Sequence, residues 1–124
     1  MKAVILTIGT EILMGELLDT NSVYLASELP KYRITLKKAI SIGDVLEEIQ
    51  NSLHQELHSS DIVITTGGMG PTSDDLTREA IAEYCEEKMA VDEEQLNTLK
   101  QLFQNRGQQM PSTNIKQAFL IPSA

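Results

Sequence analysis

A chain with a single cysteine, Cys85, cannot build an intramolecular disulfide framework or a zinc cluster. It also lacks a basic stretch: ten Lys and Arg stand against 18 Asp and Glu, for a formal net charge of -8. Proteins that hold nucleic acid without regard to sequence neutralise phosphates with clustered bases, so that role is disfavoured. Long apolar runs are missing too. None is longer than a run such as Ala3 to Leu6, far shorter than the roughly 20 residues that cross a bilayer. No charged, apolar and small-residue segments succeed one another at the N-terminus as in a signal peptide. There is no internal repeat, low-complexity segment or Pro/Gly/Ser-rich linker. What is present is 41% apolar and 23% charged, a globular composition. The expectation is one cytoplasmic domain over residues 1–124, touching neither membrane nor nucleic acid.

Three segments read as strands. Ala3–Ile8 and Asp61–Thr66 are β-branched and almost continuously apolar, as strands buried on both faces are. In Arg33–Ile42, the apolar Ile34, Leu36, Ile40 and Ile42 alternate with Arg33, Thr35, Ala39 and Ser41, which suits an edge strand. The pattern therefore predicts the order second-first-third. Helices are predicted between them over Asn21–Leu29, Val45–His58 and Thr77–Glu86, with a fourth beginning at Asp92 and a short turn over Thr113–Phe119. Leu76 and Ile81 would staple an N-cap at Thr77, and Asp92 with Gln95 makes a capping box. Gly107 is a suitable C-terminal stop. Strands alternating with helices give an α/β fold with a mostly parallel sheet.

Each strand ends in glycine: Gly9, Gly43, and Gly67-Gly68 with Gly70 behind. Ligands of open α/β sheets bind beyond the carboxyl ends of strands, at the switch point between neighbours that wind in opposite directions. Gly9-Thr10-Glu11 would then face Gly67-Gly68-Met69-Gly70 across one crevice, where glycines admit backbone N–H groups close to an anion. The spacing is neither that of a Rossmann fingerprint nor that of a Walker loop. With the helix capped at Thr77, Asp74 and Asp75 are free of capping duty. Two carboxylates beside a phosphate cradle point to an intervening cation, and Mg2+ suits because it binds through one or two carboxylates plus phosphate and water. Glu11 and Asp19 could add charge or act as a base.

The stretches GTEILMGELLDTNS (Gly9 to Ser22), TGGMGPTSDDLT (Thr66 to Thr77) and NIKQAFLIP (Asn114 to Pro122) resemble, in that order, the N-terminal domain of the CinA family. That family lies within the wider MoaB/MogA-like molybdopterin-binding domains. The resemblance implies a three-layer α/β/α fold around a mixed sheet, a glycine loop holding a pterin or nucleotide phosphate, and acids serving a magnesium-dependent reaction. By motif it points to Gly67, Gly68, Gly70, Thr72, Asp74, Asp75 and Thr77, with Thr10, Glu11, Asp19 and Asn21 opposite. CinA-type domains are associated with hydrolysis of the ADP-ribose pyrophosphate bond. Met69 stands where the adenylyltransferase branch usually carries Thr, which disfavours pterin adenylylation. Family domains continue beyond NxxQAxxP, so the fold is expected to be incomplete at its C-terminus and the chain to form a homo-oligomer.

Other residues carry weaker signals. Met69 could pack over a flat ring, and Asn114 and Lys116, in the NxxQA stretch, could reach a phosphate. His54 and His58 have a zinc-compatible spacing but no third ligand, and read as a solvated face. Cys85, beside Glu86 and Glu87, reads as a small buried hydrophobe rather than a catalytic thiol. Three functions compete: a metal-dependent pyrophosphatase with Asp75, Asp74 and Glu11 as its reacting acids, a non-catalytic pterin or nucleotide module, and an inactive structural domain.

Overall fold

The computed structural model describes residues 1–124. At its centre three parallel strands, β1 (Lys2–Ile8), β2 (Thr35–Ile42) and β3 (Ile62–Thr66), lie in the order β2-β1-β3, as the pattern predicts. β1 is buried from Ala3 to Ile8 because it has a strand on each edge and helices on each face. One face packs under α3 (Leu46–Ser59) and α4 (Thr77–Tyr84), where Leu6, Ile8, Ile49, Leu53 and Ala80 form the larger core. The other face, with Ala3 and Ile5, is covered by α2 (Thr20–Glu28) and the 3-10 turn Leu29–Tyr32 that follows it, through Leu25 and Leu29. The result is a three-layer α/β/α sandwich whose strand ends all open in one direction.

The alternation in the second strand is visible as alternating exposure, yet it does not place all its apolar residues on one face. Register slips by one residue after the Ala3–Leu36 pair, so that Val4 pairs with Lys38. A bulge reverses which face even-numbered residues address. Leu36 consequently packs with the α2 layer, and Ile40 and Ile42 with the α3/α4 layer. Lys38 turns toward α3, where its Nζ lies 2.8 Å from Oε1 of Glu56, a carboxylate only 2% exposed. Without that partner Glu56 would be a bare buried charge.

Beyond α4 the chain forms a smaller unit. β4 (Ala90–Val91) and β5 (Phe119–Leu120) pair antiparallel, enclosing α5 (Glu93–Asn105) and a 3-10 segment, Ser112–Ala118. Asp92 caps α5 by accepting the Gln95 N–H at 2.8 Å, the capping contact expected from sequence.

Several local expectations are corrected. A short helix, α1 (Thr10–Leu13), follows Gly9 directly, where only a loop was expected. Arg33 is left-handed and closes the 3-10 turn, so β2 begins two residues later than expected. Thr77 is the first residue of α4, not its cap. Its hydroxyl donates to the Gly67 carbonyl at 2.7 Å, because the glycine loop folds back over the start of the helix. Cys85 is exposed, since α4 ends at Tyr84 and the chain turns outward there.

Candidate functional site

The strand ends open onto a cavity of about 510 Å³ lined by Thr10, Glu11, Asp44, Gly68, Thr72, Asp74 and Asp75. Four of these are acids and none is basic. The loop from Gly67 to Leu76 supplies the wall nearest β3. Gly67 and Gly68 take positive φ of 88° and 63°, and a Cβ would fall on the Ile8 carbonyl oxygen at the first and on the Thr77 hydroxyl at the second. Only glycine lets the loop pass this close to β1 and α4. Its carbonyls are held from the α4 side: Gly67 accepts from the Thr77 hydroxyl, Gly68 from the Thr77 N–H at 3.2 Å, and Met69 from Arg78 Nη1 at 3.0 Å. A row of carbonyls held on one side is the arrangement in which a turn offers N–H groups on the other.

Asp75 is not the uncommitted acid expected from sequence. Its Oδ2 accepts from the Thr72 N–H at 2.9 Å and the Thr72 hydroxyl at 2.7 Å, so it braces the loop that carries it. Partial burial pushes its carboxyl up, but the hydrogen bonds from Thr72 and Gly70 and the Lys116 charge outweigh this and hold it below its ordinary value. Asp74 and Glu11, by contrast, face the cavity without a hydrogen-bond partner in the chain and keep both oxygens free. Asp44 was missed in the sequence. Its Oδ2 accepts the Thr10 N–H at 2.8 Å, and Thr10 Oγ1 accepts the Asp44 N–H at 3.2 Å. This exchange ties the exit of β1 to that of β2. The available signal was Gly43, which marks a strand end just as Gly9 and Gly67 do.

The other candidates lie outside the cavity wall. Gly9 is buried, with its N–H bonded to the Ile42 carbonyl at 3.0 Å. Asp19 caps α2 by accepting the Ser22 N–H at 2.9 Å, and also takes the Thr7 hydroxyl at 2.7 Å. Partial burial raises the Asp19 carboxyl, and the Ser22 and Thr7 bonds more than reverse this, leaving it below its ordinary value. Asn21 donates to Thr66 Oγ1 at 2.7 Å. Both residues thus pin the start of α2 to the ends of β1 and β3. Gly67 and Gly70 shape the loop, while Met69 is exposed on its outer side. Asn114 bonds Gln117 Oε1 at 2.9 Å. Lys116 does not reach for a ligand: its ammonium donates to the Thr72 carbonyl at 2.9 Å and to the Asp75 carbonyl, and pairs with Glu79 Oε1 at 2.9 Å. His58 Nδ1 bonds the His54 carbonyl at 2.6 Å, which occupies one ring nitrogen of that pair. No three His, Cys, Asp or Glu side chains converge closely enough to hold a metal ion by themselves.

A parallel sheet between two helical layers, with a glycine loop and acids gathered at its carboxyl edge, defines a layered α/β domain with an acidic crevice at the strand ends. The chain belongs to the family described as a probable molybdopterin binding domain, which matches residues 4–123. It is 48% identical over its full length to a CinA-like protein of Deinococcus radiodurans, and 45% identical over 123 residues to one of Thermomicrobium roseum. It spans only 31% and 30% of those proteins. The crystal structure of CinA from Thermoplasma acidophilum, a protein of unknown function, superposes with a TM-score of 0.88 at 29% identity, covering 99% of this chain and 72% of that one. MoaB of Thermus thermophilus shares the fold, with a TM-score of 0.65 at 21% identity over 95% of this chain and 72% of its own. No helix is long and apolar enough to cross a membrane.

Proposed function

We propose that the domain binds a nucleotide pyrophosphate of the ADP-ribose type together with a divalent cation, Mg2+, and hydrolyses the bond between the two phosphates. The observation that carries this reading is the charge of the cavity: Glu11, Asp44, Asp74 and Asp75 line it with no base among them. Four carboxylates would repel a bare phosphate, whereas a cation between acids and phosphate makes both sets of charges favourable. Asp74 and Asp75 would hold the cation, with phosphate and water completing its shell, and when bound it would neutralise the phosphoryl oxygens. Gly68 and its loop receive the phosphate on backbone N–H groups. Glu11, with both oxygens free, orients a water for attack on phosphorus and takes its proton, and the bridging P–O bond breaks to leave AMP and ribose 5-phosphate. Copies of the chain associate through the outer edge of β3, which pairs with no other strand.

Phosphorus NMR of ADP-ribose incubated with the protein, with Mg2+ or with a chelator, tests the reading. Appearance of two monophosphate signals only with metal supports it, and persistence of the pyrophosphate signals under both conditions overturns it. A second reading, a pterin or nucleotide binding module without turnover, is favoured by the family's description, which speaks of binding. It predicts ligand-induced stabilisation with no monophosphate formed.

A further inference from the structure

The cavity acids are held in place by different means. Asp44 and Asp75 take hydrogen bonds from Thr10 and Thr72. The Glu11 carboxylate takes none from the chain, yet it does not hang free. It folds back against Gly9, the residue between β1 and α1. A Cβ on Gly9 would lie 3.0 Å from Glu11 Oε1 and 3.2 Å from both Cδ and Oε2. Outside the adjoining residues, these carboxyl atoms are the three nearest to that position.

Nothing else about Gly9 calls for glycine. Its N–H is bonded to the Ile42 carbonyl at 3.0 Å, so it has no donor to offer a phosphate. Its φ of 164° is extended, unlike the left-handed Gly67 and Gly68. What remains is space. Non-bonded carbons settle roughly 3.5–4.0 Å apart, so a methyl group at this position and the carboxyl group could not both keep their places. Gly9 is buried and tied to β2, whereas the carboxylate ends a flexible side chain, so the carboxylate would give way, by roughly half an ångström. Gly43, which follows β2 at the same edge, shows the contrast. A Cβ there would meet Thr10 Oγ1 at 3.5 Å, Leu13 Cδ2 at 3.8 Å and Glu48 Oε2 at 3.9 Å, all ordinary contacts. On the facing wall a Cβ on Gly70 would likewise crowd the Asp75 carboxylate, but Thr72 also holds that acid. Glu11 has only the glycine.

We propose that Gly9 is a positioning residue for Glu11: the absent side chain leaves the seat on which the Glu11 carboxylate rests, and so sets where that carboxylate stands at the cavity. The seat is read from contacts within the chain. Its consequence for rate rests on the pyrophosphate reading, in which Glu11 orients the attacking water.

The test uses the full chain with Gly9→Ala, Gly43→Ala, Glu11→Ala and the double variant Gly9→Ala/Glu11→Ala. Without ligand, the side-chain carboxyl carbon resonance of Glu11 should move in Gly9→Ala and stay in Gly43→Ala, with little change in melting temperature in either. With Mg2+ and ADP-ribose, Gly9→Ala should lower kcat about tenfold and leave KM unchanged, as expected for a displaced general base. In the Glu11→Ala background the same substitution should cost nothing further, since the two residues act as one unit. An unmoved Glu11 resonance in Gly9→Ala, or an equal loss of kcat where Glu11 is already Ala, overturns the proposal. Should Gly9→Ala fail to fold, recovery of folding in the double variant supports the seat, and failure there too overturns it. Absence of hydrolysis by the wild type would count against the pyrophosphate reading alone, because the resonance and folding measurements need no ligand.

Discussion

Residues 1–84 and 85–124 are held together by different means. The first segment contains the parallel sheet, its two helical layers and all but two of the buried residues, whereas the second buries only Leu96 and Ala118. Polar contacts that fasten the second to the first come from Lys116, which donates to the Thr72 and Asp75 carbonyls and pairs with Glu79. Apolar burial sums over many contacts and gives cooperative stability. A few exposed polar links give orientation with little stability. The larger unit therefore supplies the rigidity of the site, and the smaller one supplies an ammonium that holds two carbonyls of its loop.

The sharpest way to break this comparison is to empty each core in turn. Ile49→Ala, beneath the sheet, should lower global stability by about 2–5 kcal/mol in denaturant unfolding. Leu96→Ala should leave that midpoint nearly unchanged and instead speed amide exchange within α5. Equal losses in both would show one cooperative unit.

Glycines provide a smaller and more local contrast. Gly68→Ala meets both a positive φ and the Thr77 hydroxyl, so it should cost about 2–3 kcal/mol and displace the loop. Gly107→Ala, at a φ of 68° with open space around it, should cost only about 1 kcal/mol, the conformational penalty alone. Thermal unfolding of the two variants measures the difference, and similar losses would mean that the loop yields to accommodate a side chain.

The smallest effect is in pH. Asp19 and Asp75, both in the larger unit, are held below the ordinary carboxylate value of 3.8. A lowered carboxyl contributes stability that is fully present above that value and is lost as pH falls through its own, lower one. Melting temperatures should therefore drop as pH falls below the ordinary carboxylate value of 3.8, and Asp19→Asn or Asp75→Asn should flatten part of that drop. An unchanged profile in both variants would assign the acid sensitivity to other groups.

Much of this was legible in the residues themselves. The apolar run Ala3–Leu6 located the central strand, because a strand covered on both faces has no wet side that calls for alternation. Alternation located the edge strand, and terminal glycines located the carboxyl ends where the cavity lies. Asp92 read correctly as a cap, since a cap and its helix are neighbours in sequence. Thr77 did not, because its partner, the Gly67 carbonyl, is ten residues away across a turn whose path depends on two left-handed glycines.

What the sequence determined by itself, then, was whatever depends on near neighbours: strand and helix periodicity, the order of the sheet, the glycine loop and the acids that follow it. Tertiary structure alone decided the rest. The bulge that divides Leu36 from Ile40 arises from pairing with β1, and Asp44 joins the cavity because Thr10, 34 residues away, exchanges hydrogen bonds with it. Lys116 lies behind the loop rather than in the crevice because Glu79 and two carbonyls use all its donors there. The physical reason is common to all three. A side chain's reach and its hydrogen-bonding capacity are written in its residue type, but which partners claim that capacity is settled only when distant segments are packed together.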